Sequence, residues 1–348
     1  MISRTIEKRL NKHITTILIG GIFLTFSVVL ILSMCNIQGC HDQTYAINNK
    51  HARHSNSKDS WQKSFLEPVK EFSAKLVVII ISGPNNTRQR DVIRETWLND
   101  SSIKSHVIWR FVIGAANMPK ELRKKLDRES FIRHDLLLIE DLEESYQSLA
   151  NKVLQSFSWV DHHVNFEFVL KVDDDSFVRL DQILNELKSK PKENLYWGFF
   201  DGRAHVKKRG KWSEPDWILC DRYLPYALGG GYVISSDLIH FIVSNGPIFK
   251  KFNSEDVSVG AWLGPLDIQR IHDPRFDTEY VSRGCRNVYI ITHKKSINDM
   301  RELHKNLKTT GKLCSKERLI RKSYVYNWNV LPTECLHPLI QSATQPLH

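Results

Sequence analysis

The sequence predicts an α/β domain in which helices cover both faces of a mainly parallel sheet. Apolar, β-branched runs alternate with helical segments along most of the chain, a pattern typical of this fold class. The predicted strands are Leu76–Ile81, Val107–Gly114, Leu136–Ile139, Phe168–Val172 and Leu195–Phe200. The predicted helices are Arg88–Trp97, Lys120–Ser130, Leu142–Val160 and Asp181–Lys188. Three consecutive carboxylates follow the fourth strand, at the edge where ligands bind in such sheets.

The N-terminal region predicts a membrane anchor. Residues Ile14–Cys35 contain no charge over 22 positions, which is long enough for a helix that crosses a bilayer. The preceding segment carries the cations Arg4, Lys8, Arg9 and Lys12, so the positive-inside rule puts the N-terminus in the cytoplasm. We expect a cytoplasmic tail at 1–13, an anchor at 14–35, a polar stem at 36–72, a large domain at 73–330 and a tail at 331–348. Of the 348 residues 41% are hydrophobic, which suits a folded domain of that size.

The first strand ends at Gly83-Pro84, and the helix after it carries two arginines on one face. Arg90 and Arg94 are four residues apart, so both guanidinium groups could hold a diphosphate beside the carboxyl end of the strand. The alternative is that they pair with Asp91, Glu95 or other acids. The chain has neither GxGxxG nor GxxxxGK[ST], which argues against a dinucleotide oxidoreductase and a P-loop enzyme.

The stretch Phe168–Val178 predicts a metal site. Four apolar or β-branched positions around Lys171 lead into Asp173, Asp174 and Asp175. Because side chains alternate along a strand, Asp173 and Asp175 should point to one side and Asp174 to the other. Hard oxygen ligands of this kind suit magnesium or manganese, usually together with phosphate oxygens. The alternative is an exposed acidic turn that caps the next helix.

Three later segments are candidates for binding or catalysis. Gly229-Gly230-Gly231 lets the backbone approach a ligand closely, and Glu255-Asp256 supplies a second acidic pair or, with Ser254, a plain helix N-cap. Between them lies a basic loop with aromatic neighbours, Arg203, Lys207, Lys208, Arg209, Lys211, Trp212 and Trp217. A domain outside the cytoplasm does not meet nucleic acid, so this loop predicts either an acidic acceptor or a solvated surface.

The cysteines and glycosylation signals agree with a secretory compartment. Cys35 and Cys40 lie at and just beyond the anchor, and Cys40 is a candidate tether for a dimer. The other four, Cys220, Cys285, Cys314 and Cys335, allow two disulfides in three pairings. Their spacing gives no CxxC pair, which argues against zinc. Two sequons place acceptor asparagines at Asn85 and Asn99.

The ordered set of motifs resembles the β-1,3-glycosyltransferase family of the Golgi. The stretches that carry the resemblance are Arg90–Trp97, Lys171–Phe177, Gly229–Tyr232 and Glu255–Val257, behind a type II anchor. Leu195–Phe200, Leu219–Leu228 and His272–Tyr280 resemble the subgroup that adds galactose to the linkage region of proteoglycans. The resemblance implies a GT-A fold, UDP-galactose as donor, Mn²⁺ as metal and inversion at the anomeric carbon. It also implies a galactosyl-xylosyl core protein as acceptor, and a homodimer or a complex with other linkage-region glycosyltransferases.

The same resemblance implies roles for individual residues. Asp173 to Asp175 match the family's DxD-type motif, with Asp175 as the direct metal ligand and Asp173 toward the uridine ribose. His293 matches the histidine that completes the metal site, although it could also be an ordinary residue at a strand end. Asp256 matches the general base, and Glu255 would orient it or bind acceptor hydroxyls. Trp197 and Trp212 could stack on acceptor sugars, with Gly230 and Gly231 nearby, or each tryptophan could belong to the core.

Three alternatives to this function remain at the sequence level. The first is a β-1,3-N-acetylglucosaminyl- or galactosyltransferase that acts on other glycans. The second is a lectin-like membrane protein that keeps the fold without catalysis. The third is a metal-dependent phosphohydrolase, for which a run of three aspartates is also plausible. A non-catalytic protein would not need the three aspartates together with Asp256.

Overall fold

The computed structural model describes residues 70–101, 103, 105–331, 334 and 336–338. Among these residues, no helix is both long and apolar enough to cross a membrane. The predicted cytoplasmic tail, the predicted anchor and nearly all of the predicted stem lie outside the described residues. So do Cys35, Cys40 and Cys335.

The domain is built on a seven-stranded sheet with the strand order β3-β2-β1-β4-β7-β6-β8. In chain order these strands are β1 (Phe72–Ile81), β2 (Val107–Gly114), β3 (Leu136–Ile139), β4 (Val164–Asp173), β6 (Leu195–Asp201), β7 (Tyr226–Ser235) and β8 (Gln269–His272). The short β5 (Phe177–Val178) belongs to a second, three-stranded sheet with β9 (Phe276–Asp277) and β11 (Ile291–Thr292). The predicted α/β class is therefore confirmed.

One strand of the large sheet runs against all the others. The pairs β1 with β2, β1 with β4, β2 with β3, and β6 with β8 are parallel. By contrast, β7 is antiparallel to both of its neighbours. Its first residues therefore lie at the carboxyl edge of β4, where Gly231 pairs with Val172. This reversal brings the glycine stretch of β7 beside the three aspartates at the end of β4.

Helices cover both faces of the sheet because the strand side chains are apolar on both sides. In β1, Leu76, Val78 and Ile80 belong to one core, whereas Val77 and Ile79 belong to the other. The first core is covered by α1 (Thr87–Glu95), α4 (Leu180–Glu186) and α7 (Ile297–Thr310). The second is covered by α3 (Leu149–His163), α5 (Ser236–Asn245) and α6 (Glu255–Leu263). The remaining helix, α2 (Lys120–Arg133), leads into β3.

Two helix boundaries have clear local causes. The predicted helix Leu142–Val160 begins only at Leu149, because Glu144 holds the preceding loop by accepting from the amide of Gly114 at 2.8 Å and from Lys152. Helix α7 begins with a capping box, in which Ser296 and Asp299 exchange side chain to backbone hydrogen bonds. It ends at Gly311, whose φ of 69° suits glycine at this position.

The C-terminal part of the domain contains one disulfide, between Cys285 and Cys314. Cys285 lies in β10 (Gly284–Cys285), which pairs with β12 (Arg318–Leu319). The bridge closes a loop with a sequence separation of 29, which constrains the unfolded chain by about 3–4 kcal/mol. Thus the structure selects one bridge from the three pairings that the sequence allowed. Cys220 is exposed and its thiol donates to the carbonyl of Arg222.

Candidate metal and acid–base site

Three side chains converge at the carboxyl edge of β4. Asp173 is the last residue of this strand, Asp175 lies in the turn after it, and His293 follows β11. One ligand atom from each of them lies within 4.8 Å of the others. In β11, Thr292 pairs with Phe177 of β5 and with Asp277 of β9, so the small sheet carries His293 to the aspartates. The structure thereby brings together the three predicted metal ligands.

The ligand atoms fit a divalent cation. Nε2 of His293 lies 2.8 Å from Oδ1 of Asp175 and 3.4 Å from Oδ2 of Asp173. Oδ1 of Asp175 and both ring nitrogens of His293 are buried without a hydrogen-bond partner of acceptable geometry among the described residues. Buried polar atoms without a partner are costly, and a cation between the three side chains would satisfy Oδ1 of Asp175 and Nε2 of His293. Two carboxylates and one imidazole suit Mn²⁺ among other divalent metals.

The charges in this cluster influence one another strongly. Burial alone would lower the pKa of His293, but Asp173 and Asp175 outweigh it and raise the pKa to about 9. Burial alone would raise the pKa of Asp173, but the Lys171 ammonium and His293 hold it well below its usual range. Both carboxylates are therefore ionised at neutral pH, as metal ligands must be.

The glycines of β7 make room for this arrangement. A Cβ atom at Gly230 would lie 2.5 Å from Nδ1 of His293, which is closer than two such atoms can approach. At Gly231 the nearest atoms are instead apolar, with Cδ1 of Ile291 at 3.0 Å. Gly230 and Gly231, which the sequence placed near the acceptor, therefore pack against His293 and the core behind it.

Asp174 points away from the other two aspartates, as the strand alternation predicted. Its Oδ2 accepts hydrogen bonds from Oγ of Ser82 at 2.7 Å and from Nδ2 of Asn86 at 2.8 Å. Both donors belong to the loop between β1 and α1. Burial raises the pKa of Asp174. Its visible role is to fasten this loop to the end of β4.

The two arginines of α1 pair with acidic side chains, which is the alternative that the sequence left open. All five N–H donors of Arg90 are used, because Arg90 donates to Glu129, Ser82, Thr87 and the carbonyl of Gly83. Its side chain is fully buried. Arg94 forms ion pairs with Asp91, Glu129 and Asp135. The prediction that both guanidinium groups bind a diphosphate directly is wrong for Arg90. Arg90 instead supports the loop between β1 and α1 through hydrogen bonds to Ser82 and Gly83.

A buried lysine connects the metal cluster to the second acidic pair. Lys171 lies in β4, with almost no exposed surface. Its Nζ donates to Oδ1 of Asp173 at 2.9 Å, to the carbonyl of Gly229 at 2.7 Å and to Oε1 of Glu255. The other oxygen of Glu255 accepts from the hydroxyl of Tyr232 at 2.9 Å. The roles of Lys171 and Tyr232 were not predicted, although a lysine inside an apolar strand is a signal that the sequence contains.

Glu255 and Asp256 occupy different environments at the start of α6. Burial raises the pKa of Glu255 to about 7, although Lys171 opposes this rise. Asp256 remains partly exposed. Its Oδ2 accepts from the amide of Gly229 at 2.9 Å, and its Oδ1 accepts from the amide of Val257. Burial also raises the pKa of Asp256. Asp256 is thus the member of the pair that a substrate can reach.

The two tryptophans predicted to bind sugars differ in exposure. Trp197 is fully buried, donates to Asp273 at 3.1 Å and packs against Phe276. The structure therefore supports the core alternative for Trp197. Trp212, in contrast, is 49% exposed and is able to meet a ligand. The sequon asparagines, Asn85 and Asn99, are both exposed.

The basic loop belongs to a compact segment, residues 202–225, that we call the lobe. It connects β6 to β7 and leaves the sheet at the same edge as the metal cluster. Buried Glu214 accepts from the amides of Asn253 and Ser254 at 2.8 and 2.6 Å, which fixes the lobe to the turn that starts α6. Its cations are exposed, namely Arg203, Lys207, Lys208, Arg209 and Lys211.

Most of these residues lie in a stretch that matches a known family. The family model described as galactosyltransferase matches residues 88–274, which is more than half of the chain. The chain belongs to the galactosyltransferase family. It is therefore a glycosyltransferase, and the resemblance seen in the sequence is confirmed at the level of the family. The three aspartates, Glu255 and Asp256 fall within the match, whereas His293 lies beyond its end.

Curated relatives from animals and plants agree with this membership. Beta-1,3-galactosyltransferase 6 of Mus musculus is 48% identical over 267 residues, which cover 75% of this chain and 82% of that protein. Hydroxyproline O-galactosyltransferase GALT6 of Arabidopsis thaliana is 31% identical over 271 residues, covering 75% and 38% of the two chains. This galactosyltransferase family member thus spans most of the mouse protein but less than half of the plant protein.

Solved structures show weaker similarity. A mannosyltransferase from Pyrobaculum calidifontis, in complex with GDP-Man and Mn²⁺, is 12% identical with a TM-score of 0.36, over 58% of this chain and 55% of that one. The galactosyltransferase LgtC, in complex with donor and acceptor sugar analogs, is 11% identical with a TM-score of 0.33. It covers 67% of this chain and 97% of that one.

Proposed function

We propose that the protein is an inverting, metal-dependent β-1,3-galactosyltransferase that uses UDP-galactose. We further propose that its acceptor is the galactose of the Gal-β1,4-Xyl-Ser linkage region of proteoglycans. One observation carries the chemistry: a candidate metal cluster and the reachable carboxylate of Asp256 meet at one sheet edge in a member of the galactosyltransferase family. The name of the mouse relative supports the linkage and the sugar.

On the donor side, the chain supplies groups that hold a nucleotide diphosphate at the end of β4. Asp173, Asp175 and His293 would hold Mn²⁺, which supplies charge neutralisation for the departing UDP when bound. The loop between β1 and α1, fastened by Asp174 and supported by Arg90, lies beside them and is placed to contact the nucleotide. This placement agrees with a GT-A type of donor site.

On the acceptor side, Asp256 would act as the general base. It takes the proton from the acceptor's 3-hydroxyl while that oxygen forms a bond to the anomeric carbon. The bond from this carbon to the phosphate oxygen breaks on the opposite side, and UDP leaves with the electron pair. A single displacement of this kind inverts the anomeric carbon. General-base assistance is typically worth about 10² to 10⁴ in rate.

The lobe supplies an acceptor surface of matching chemistry. Its exposed cations and Trp212 belong to the segment that Glu214 fastens to the turn at the start of α6. We propose that these cations attract an acidic stretch of the acceptor polypeptide, while Trp212 offers an aromatic face to a sugar ring. The competing function is β-1,3 transfer of galactose or N-acetylglucosamine to other glycans, for which the same metal cluster and base would serve.

We also propose a location for this activity. The charge-free segment at 14–35 would anchor the protein in the Golgi membrane as a single-pass type II protein. The described domain would then face the lumen, where the sequon asparagines can be glycosylated and Cys285 can pair with Cys314. Detection of the epitope-tagged full chain with its C-terminus protected inside Golgi vesicles tests this topology.

A transfer assay tests the proposed reaction. The full-length protein, purified in detergent, is supplied with Mn²⁺, a panel of UDP-sugars and a galactose-β-1,4-xyloside acceptor. We expect a β-1,3-linked product from UDP-galactose alone. A product from another UDP-sugar would reassign the donor, and transfer only to other glycans would favour the competing function. Hydrolysis of UDP-galactose without any sugar transfer would contradict both functions.

A further inference from the structure

We infer that Lys171 is a positioning residue that links the metal cluster to the acid–base pair through a single buried charge. The inference deepens the proposed function and rests on it. The Lys171 ammonium contacts one predicted metal ligand, Asp173, and one member of the acidic pair, Glu255. Its third partner is the carbonyl of Gly229, whose own amide donates to Asp256. Lys171 therefore also reaches the proposed base through the backbone of this one glycine.

The two carboxylate oxygens of Asp173 have different partners. Oδ1 accepts from Lys171 at 2.9 Å, whereas Oδ2 faces Nε2 of His293 at 3.4 Å. The ammonium thereby fixes the rotation of this carboxylate so that Oδ2 is the oxygen presented to a metal. A charge-assisted hydrogen bond is strong enough to select such an orientation.

The geometry around Glu255 gives this residue a supporting role. Lys171 holds its Oε1 and Tyr232 holds its Oε2, and the side chain is 3% exposed. Because Glu255 is held from both sides, it fixes the first turn of α6, from which Asp256 projects. Lys171 thus orients the proposed base indirectly and Asp173 directly.

The charge of Lys171 should also set how strongly the cluster binds a cation. An ammonium beside a ligand carboxylate repels a divalent metal, and Glu255 offsets part of this repulsion. The two residues contribute opposite charges, so removing only one of them should shift metal affinity, and removing both should largely restore it. A residue with a purely structural role would not produce shifts of opposite sign.

Manganese binding without any substrate tests the inference. Electron paramagnetic resonance of free Mn²⁺ gives the dissociation constant for the full-length protein and its variants. We expect Lys171→Met to bind Mn²⁺ about tenfold more tightly and Glu255→Gln about tenfold more weakly, with the double variant near the unmodified protein. Tyr232→Phe, which loses a Glu255 contact without a change of charge, should leave Mn²⁺ binding unchanged. The Lys171→Met variant should nevertheless lose at least about 10²-fold in transfer rate, because Asp256 is no longer oriented.

The controls separate this inference from the proposed function. Asp175→Asn should abolish Mn²⁺ binding, and absence of binding by the unmodified protein would overturn both proposals. Normal binding with equal constants in all Lys171 and Glu255 variants would overturn only the inference. If Lys171→Met fails to fold because it leaves buried carboxylates unpaired, the double variant and Glu255→Gln carry the test. Equal Mn²⁺ dissociation constants for the double variant and Glu255→Gln would then overturn the role of Lys171.

Discussion

At the residue scale, Glu255 and Asp256 show how neighbouring carboxylates acquire different roles. Both oxygens of Glu255 are held, by Lys171 and Tyr232, and the side chain is nearly inaccessible. Asp256 accepts only backbone amides among the hydrogen bonds described, and it remains partly exposed. A base needs a free lone pair within reach of the substrate. The environment of each carboxylate, more than its residue type, therefore favours Asp256 as the proposed general base.

Replacing Asp256 with Asn tests this assignment. We expect the Asp256→Asn variant to lose about 10² to 10⁴ in transfer rate, since an amide cannot take the acceptor proton. Binding of UDP in the presence of Mn²⁺ should remain, because Asp256 does not belong to the metal cluster. Both quantities can be measured on one preparation, by product formation and by calorimetry. Turnover close to that of the unmodified protein would instead point to Glu255 or another base.

The sequence predicted the individual chemical groups better than their partners. Asp173, Asp175 and His293 were predicted as metal ligands and the structure brings them together, while Asp174 points away from them as the alternation along β4 predicted. The partners of Arg90 and Arg94 come from α2 and from just after it, at Glu129 and Asp135. Nothing in the local sequence shows that two segments 40 residues apart meet. The sequence pattern therefore could not predict contacts between segments that lie far apart along the chain.

At the element scale, the reversed strand β7 determines the shape of the site. Its glycines were predicted to let a backbone approach a ligand, and they instead let His293 and the carboxylates of α6 approach the strand. The direction of β7 could not be predicted, because a buried parallel strand and a buried antiparallel strand have the same apolar pattern. Direction depends on the path of the lobe before β7.

A methyl group at Gly230 tests the role of this strand. A Cβ atom there would lie 2.5 Å from Nδ1 of His293, so Gly230→Ala should displace the imidazole and weaken Mn²⁺ binding by about 10- to 100-fold. The matched control is Gly231→Ala, whose new methyl group meets Ile291 and Val172. We expect that control to cost stability, by about 1–3 kcal/mol, without a comparable loss of Mn²⁺ affinity. Equal Mn²⁺ constants for the two variants would contradict this role.

His272, at the end of the edge strand β8, gives the fold a specific pH dependence. It accepts from the amide of Phe200 at 3.1 Å and contacts the carbonyl of Tyr324 at 2.9 Å. Burial lowers its pKa to about 4, whereas the unfolded value is about 6.5. At a pH between these two pKa values, His272 is protonated in the unfolded chain but neutral in the folded protein. The stabilisation is thus complete above about pH 6.5 and is lost as the pH falls toward about 4.

Urea unfolding at several pH values measures this effect. The unmodified protein should lose about 3 kcal/mol of its free energy of unfolding from this residue between about pH 7 and about pH 4. His272→Gln retains a donor and an acceptor but does not titrate, so its stability should fall less steeply over the same range. Identical slopes for the two proteins would show that His272 is not the group responsible.

At the scale of the whole molecule, the distribution of charge agrees with the proposed function. The formal net charge is +10, and five exposed cations lie on the lobe, which Glu214 fastens to the turn at the start of α6. The metal cluster, by contrast, is acidic. An acidic acceptor would thus be drawn to the lobe, while a metal-bound diphosphate would be drawn to the end of β4. Under the proposed function, the two substrates would therefore approach different parts of the same sheet edge.

Neutralising the lobe tests whether its charge serves the acceptor. The variant replaces Lys207, Lys208, Arg209 and Lys211 with glutamine, which removes four exposed cations without touching the core. We expect KM to rise at least about fivefold for an acceptor flanked by acidic peptide, since each lost charge removes part of a long-range attraction. KM for a neutral galactose-β-1,4-xyloside and for UDP-galactose should stay within about twofold. The difference between the acceptors should disappear in high salt.

A triple variant on another surface provides the control, because it also lowers the net charge. Lys120, Lys124 and Lys125 are exposed on α2, which leads into β3 at the edge of the sheet opposite β8. Their replacement with glutamine should leave both acceptors unaffected. If the two variants weaken the acidic acceptor equally, overall charge and not the lobe attracts it. If the lobe variant weakens the neutral acceptor as much as the acidic one, the cations act on the shape of the site, and the proposed recognition of an acidic polypeptide fails.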